Sequence, residues 1–141
     1  MPYKYLEDVA VADVEFEATG KTLEELFVSC AEALENSMAD LKLISPKIKK
    51  EIKLKNESAD LLLYDFLSEL IYLKDTEQML FGKFSVKIKQ GKNFEMIAEI
   101  SGEKINPKKH KLEDDVKAVT MHDYKIEKTK SGFRIQILLD I

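Results

Sequence analysis

Two aspartates stand in apolar, strand-like segments near opposite ends of the chain: Asp13 in "VAVADVEF" and Asp140 in "ILLDI". Aspartate has poor strand propensity, so its presence there asks for a reason. One reason is that both are solvated residues on polar strand faces. The other is that the first and last strands are neighbours, so that Asp13, Asp140 and the carboxylate of Ile141 converge. Two carboxylates ~5 Å apart at an effective dielectric of about 20 repel by roughly 3 kcal/mol. One of them would then titrate above its usual range unless a cation lay between them. Oxygen ligands alone favour a hard divalent cation, Mg²⁺, Mn²⁺ or Ca²⁺, over zinc. Spacing along the sequence does not choose between the two arrangements.

Other residues could take part. Lys117 lies between Val116 and Ala118, on the strand face of Val119 and Met121. It reads either as a lysine whose stem crosses apolar surface or as a cation beside an anionic centre. His122 and Asp123 end the same segment, and His110 lies in the loop before it. Scattered imidazoles are more often structural than catalytic, although they can bind a metal or move a proton. The "KDTE" at 74–77 reads as a helix end with Asp75 and Glu77 in solvent. Cys30 is the only cysteine, which excludes an internal disulfide and any multi-cysteine metal site. With Leu26, Phe27, Ala33 and Leu34 about a turn away, it reads as a small core hydrophobe. There is no Gly-rich phosphate loop, no GxSxG and no HExxH. No catalytic residue is nominated, and a complete nucleotide-binding enzyme is not expected.

These residues need a scaffold, and 141 residues with 45% hydrophobic content fit one domain spanning 1–141. The net charge is −4, and of 22 basic residues only Arg134 is an arginine. That balance argues against tight, direct RNA binding, which favours a basic excess and arginine forks. The N-terminal "MPYKYLEDV" has no apolar core of a signal peptide. The most apolar stretch, "LLLYDFLSELIYL" at 61–73, is short for a bilayer and carries Asp65 and Glu69. A soluble, cytoplasmic protein is expected.

Hydrophobic period then places the elements. "VADVEFEATG" (11–20) alternates Val14, Phe16 and Ala18 against Asp13, Glu15 and Glu17, a strand with one wet side. Gly20 ends it, and Thr22 with Glu25 has capping-box spacing for a helix running to about Asp40. Residues 47–55, "KIKKEIKLK", read as a charged edge strand rather than an RNA-binding stripe. A second helix covers 58–77, with Ser58 as N-cap and Leu62, Leu63, Phe66, Leu67, Leu70, Ile71 and Leu73 on a broad apolar face. Phe84, Val86 and Ile88 alternate into the turn "QGKN" (90–93), and Phe94, Met96, Ala98 and Ile100 alternate back, which is a hairpin. After a polar loop at 105–115, strands are expected over 116–122, 124–129 and from 133 to the end. The fold class is α+β: two helices packed on a mostly antiparallel or mixed sheet.

The order "YKYLED…ADVEFEATGKTLEELF", "LLYDFLSELIYLKDTE", "VKAVTMHDYKIEK" and "LLDI" resembles the archease family over essentially the whole chain. That resemblance implies an α+β accessory protein, not itself an enzyme, that assists an RtcB-type RNA ligase in tRNA splicing. Its expected action is to promote guanylylation of the ligase and multiple turnover, meeting tRNA only through the ligase. It also implies an acidic metal-binding patch joining a near-N-terminal aspartate to the C-terminal end. Carried over, the metal ligands are Asp13, Asp140 and Ile141, with Lys117, His122 and Asp8 accessory to the patch. Ala10 and Val11 stand where the family has His-Thr before that aspartate, so a histidine ligand is lost and Asp8 or Glu7 is the candidate replacement. Two rival functions are a small divalent-metal-dependent phosphoester hydrolase and an RNA-binding chaperone.

Overall fold

The computed structural model describes residues 2–6 and 13–141. Among these, β1 (Tyr3–Leu6) and β2 (Asp13–Gly20) lead into α1 (Leu23–Met38), and a 3₁₀ turn (Leu41–Leu43) follows. Next come β3 (Ile48–Asn56), α2 (Ala59–Glu77), β4 (Met79–Gln90) and β5 (Phe94–Lys104). The chain closes with β6 (Ala118–Val119), β7 (Glu127–Thr129) and β8 (Gly132–Asp140).

The strands form two antiparallel sheets. One runs β1-β2-β8-β6, with β7 pairing on β8 as well; the other runs β3-β5-β4. α1 lies between them, packed on β2 and on β4. That position explains its long run of buried residues, from Leu26 and Phe27 through Cys30, Leu34 and Met38. α2 packs on the three-stranded sheet, on β6 and on α1, where Phe66 stacks on Phe27 with ring centroids 6.2 Å apart. All seven apolar residues expected on its face are buried, and Lys74 is buried with them. The fold is thus α+β, as composition and period implied.

Local chemistry sets the ends of the helices. Thr22 Oγ1 accepts from the Glu25 N–H at 3.1 Å, and Glu25 Oε2 accepts in return from the Thr22 N–H at 3.2 Å. Ser58 Oγ accepts from the Leu61 N–H at 3.1 Å. Gln78 ends α2 in a left-handed conformation, φ 53°. Each device satisfies or redirects backbone groups that a helix end leaves unpaired.

Two expectations change. Strands were expected over 116–122 and 124–129, but only Ala118–Val119 and Glu127–Thr129 pair with β8. The last β6 bond is Thr120 N–H to Leu138 C=O at 3.0 Å; Asp123 then turns with φ 50°. Beyond it α2 captures the chain: the Tyr124 hydroxyl donates to the Asp60 carbonyl at 2.6 Å, and the Ile126 N–H donates to the Asp60 carboxylate at 3.2 Å. Side-chain capture therefore outcompetes the ladder. The other change is an addition: Tyr3–Leu6 forms an edge strand on β2, tethered to α1 by the Tyr5 hydroxyl donating to the Ala33 carbonyl at 2.7 Å.

Candidate functional site

The strand that carries Asp13, β2, and the last strand, β8, are neighbours. In the β2–β8 ladder Asp13 lies directly opposite Asp140, and the register continues as Val14 to Leu139, Glu15 to Leu138 and Phe16 to Ile137. Alternation sends Phe16, Ile137 and Leu139 into the core and leaves Asp13, Asp140 and Glu15 on the outer face. Directly opposed residues in an antiparallel pair have Cβ atoms about 4.5–5.5 Å apart, and diagonal neighbours such as Glu15 and Asp140 lie about 7–8 Å apart. Ile141 follows and packs its side chain against the core, which holds its main-chain oxygen one residue past Asp140.

The other side of Asp140 is occupied by β6. Ala118 lies opposite Asp140, and the Lys117 N–H donates to the Asp140 carbonyl at 2.7 Å. Lys117 thus reaches the aspartate pair through its backbone. Its side chain is exposed and makes no ion pair among the described residues. The small Ala118 leaves the Asp140 side chain open to solvent.

A loop without regular structure must deliver Lys117 and Ala118 to that place, and several buried contacts pin it. Glu103, at the end of β5, accepts from the Lys109 ammonium at 2.6 Å and from the Ser45 N–H at 2.7 Å, and its Oε2 lies 2.9 Å from His110 Nε2. Because His110 Nδ1 accepts from the Asn106 N–H at 2.9 Å, the ring is neutral and Nε2 carries the proton donated to Glu103. Burial opposes the Glu103 charge, but these donors outweigh it and hold the carboxyl at about 2. The Glu113 and Asp114 N–H groups donate to the Met38 and Ser37 carbonyls at the end of α1. Finally Lys74 donates to the Val116 carbonyl at 2.7 Å and pairs with Asp115 and, at 2.9 Å, with Asp75. Burial lowers the Lys74 pKa, yet its two carboxylate partners more than restore the charge.

Other nominated residues stand apart. His122 is exposed in the turn after β6, its Nε2 3.3 Å from the Asp123 carboxylate, beyond the Thr120–Leu138 bond that ends that ladder. Asp8 and Glu7 lie outside the described residues. Cys30 is fully buried, and burial pushes its thiol far above the usual range. Asp75 and Glu77 are not simply solvated: Asp75 pairs with Lys74, and Glu77 with Lys50 at 2.6 Å.

Sequence reasoning missed Lys74, Glu103 and a buried Glu35 in α1. Lys74 lies three and four residues beyond Ile71 and Leu70, on the apolar stripe of its helix, and that spacing was the available signal. Among the described residues no three His, Cys, Asp or Glu side chains are grouped to hold a metal ion. A cation at this end would therefore rest on two carboxylate side chains, main-chain oxygen at Ile141 and water. That all-oxygen set suits a hard divalent ion, which keeps waters readily.

Comparisons with known proteins place the chain in a family. A model of the archease protein family matches residues 3–141. The protein archease of Pyrococcus furiosus is 41% identical over 133 residues, 92% of this chain and 93% of the relative. That of Methanosarcina mazei is 38% identical over 141 residues, 99% of this chain and 95% of the relative. The solution structure of protein 1598 from Methanobacterium thermoautotrophicum superposes with a TM-score of 0.86 at 33% identity, covering 99% of both chains. A Thermotoga maritima crystal structure, described as an archease and possible chaperone, shares the fold with a TM-score of 0.64 at 19% identity and covers 96% and 97%. This chain belongs to the archease family.

Proposed function

We propose that this protein is a non-enzymatic accessory factor of an RtcB-type tRNA-splicing RNA ligase, acting in the cytoplasm to promote guanylylation of the ligase and its repeated turnover. The single observation that carries this reading is the cross-strand pairing of Asp13 with Asp140, which turns two sequence-distant aspartates into one acidic end. Membership in the archease family supports it.

Asp13, Asp140 and main-chain oxygen at Ile141 would hold a divalent cation, Mg²⁺, Mn²⁺ or Ca²⁺. When bound, such an ion supplies a positive centre for phosphate oxygens. The chain's own contribution is position. The β2–β8 ladder holds the two carboxylates face to face, and the Lys117–Asp140 backbone bond fixes the strand end. Lys117 contributes that backbone bond rather than its ammonium, and Ala118 keeps the approach open. An acidic, strand-held end of this kind complements a basic ligase surface, steering encounter while the ligase retains the tRNA halves.

The test is multiple-turnover joining of tRNA halves by the cognate ligase with substoichiometric accessory protein, alongside calorimetric titration of each metal. Wild type should raise the number of turnovers per ligase, and Asp13→Asn or Asp140→Asn should lose both that effect and the metal heat. Stimulation that survives both substitutions would put the activating surface elsewhere.

A further inference from the structure

The outer face of the three-stranded sheet is charged in an ordered way that the acidic end does not explain. Register places Lys55, Glu95 and Lys89 in one row and Lys53, Ile97 and Lys87 in the next. Glu51, Glu99 and Ser85 follow, then Lys49, Ser101 and Lys83. Ser101 is half-buried and the other eleven are exposed. Lysines occupy the two outer strands, and the glutamates of β5 run between them. Six lysines against three glutamates give this face a surplus of three positive charges in a chain whose total is −4. The rest of the molecule therefore carries seven more negative than positive charges, and the whole-chain balance conceals a basic face.

Four of the six are free to act. Lys49 pairs with Glu99 at 3.7 Å and Lys53 with Glu51 at 3.4 Å, while Lys55, Lys83, Lys87 and Lys89 make no ion pair among the described residues. Alternate residues on a strand lie ~6.8 Å apart, and two outer strands separated by a central one lie about 10 Å apart. Each outer strand carries three lysines, broken in the third row by Glu51 on β3 and Ser85 on β4, and the central strand carries Glu95 and Glu99. A single phosphate strand laid along the middle would meet Glu95 and Glu99. The face also offers no aromatic ring on which an unpaired base could stack, as single-strand binders require. Two phosphate strands with a groove between them satisfy the lysines of both outer strands and leave Glu95 and Glu99 facing the groove. The adjacent pairs Lys53 with Lys55 and Lys87 with Lys89 repeat at one spacing, which fits a repeating charge better than the irregular charges of an acidic protein surface.

We propose that the exposed face of β3, β5 and β4 binds the phosphate backbones of double-helical RNA, without reading sequence. Lysine, a point charge on a flexible stem, suits such contact, and the absence of arginine here removes bidentate base readout. Binding is weak and strongly dependent on salt, consistent with the modest surplus of charge. The face lies across α1 from the sheet that carries Asp13 and Asp140, so both can be engaged at once.

The test uses a fluorescein-labelled RNA duplex of arbitrary sequence, titrated with the full chain between 25 and 200 mM KCl and read by anisotropy; these concentrations bracket about the range over which counterion release is resolved. With four contacts, the log–log salt slope should be about −3 to −4. Replacing Lys55→Gln, Lys87→Gln and Lys89→Gln together should weaken binding at low salt by about tenfold or more and bring the slope to about −1. A surface control, Lys108→Gln with Lys111→Gln, should leave both unchanged. No measurable binding by wild type, equal loss in the control, or tighter binding of the single strand would each overturn the proposal. So would displacement of the duplex by polyglutamate at equal charge, because the face would then favour an acidic protein.

Discussion

Glu35 shows what a single buried carboxyl does to this fold. Its side chain is fully buried; Oε1 accepts from the Phe81 N–H at 3.3 Å, and Oε2 meets no partner among the described residues. Burial raises its pKa well above 4.5, against the opposing pull of the Phe81 N–H and the Lys74 ammonium. The folded chain thus holds this proton more tightly than the unfolded chain. The stabilisation is complete below pH 4.5 and is lost as pH rises toward the folded value. Glu35→Gln keeps an acceptor for the Phe81 N–H and removes the cost of burying the carboxylate or of taking up its proton, so stability in urea at pH 7 should rise by about 1–2 kcal/mol. A loss of stability would show that the charge is needed by Lys74. Asp13 and Asp140 make the complementary case on the surface. Like charges directly opposite in a ladder destabilise, so without metal Asp140→Asn should gain about 0.5–1 kcal/mol in thermal unfolding. With millimolar Ca²⁺ or Mg²⁺ the wild type should gain stability and the variant should not. Of these residues only Asp13 and Asp140 were legible as candidates, because an aspartate in an apolar strand is conspicuous. Glu35 was hidden inside a helix stripe where a glutamate costs little in propensity.

Elements explain why the acidic end is held in place. α1, α2 and the β4–β5 hairpin were readable because caps, turns and period are local properties. β1 and the shortness of β6 and β7 were not, because they depend on what packs across the chain: Tyr5 reaching Ala33, and Asp60 drawing Tyr124 and Ile126 off the sheet. The loop between β5 and β6 is the critical connector. The Glu103 carboxyl, held at about 2 against 4.5 in the unfolded chain, contributes stability that is complete above pH 4.5 and lost as pH falls toward 2. Glu103→Gln should remove that acid limb from the urea stability profile and cost about 1–2 kcal/mol at pH 7, a cost moderated because Lys109 is partly exposed and keeps its bond to Ser45. An unchanged limb would assign the acid sensitivity to other carboxylates. Lys74→Met should leave Asp115 and the Val116 carbonyl unpartnered and free β6. Hydrogen exchange at the Lys117 amide should then quicken by about tenfold or more, with amides of the β3-β5-β4 sheet unaffected. Equal acceleration in both sheets would mean that Lys74 supports the whole core instead.

At the scale of the whole molecule, charge is segregated: paired aspartates at one sheet's end, lysine columns on the outer face of the other sheet, and α1 between. Net charge and arginine content were legible in the sequence, but register alone sorts lysines from glutamates onto faces, and register is a tertiary property. The same holds for the acidic end, whose two halves are 127 positions apart and become one feature only when β8 docks on β2. No helix among the described residues is long and apolar enough to cross a membrane. The most direct test of the proposed function is transfer of radiolabelled GMP from GTP to the cognate ligase, followed over repeated cycles with substoichiometric amounts of this protein, wild type or Asp140→Asn. Restored charging by wild type and none by the variant is the expected result. Equal charging with both would reduce Asp140 to a solvated strand end, and charging by neither would contradict a role in ligase activation.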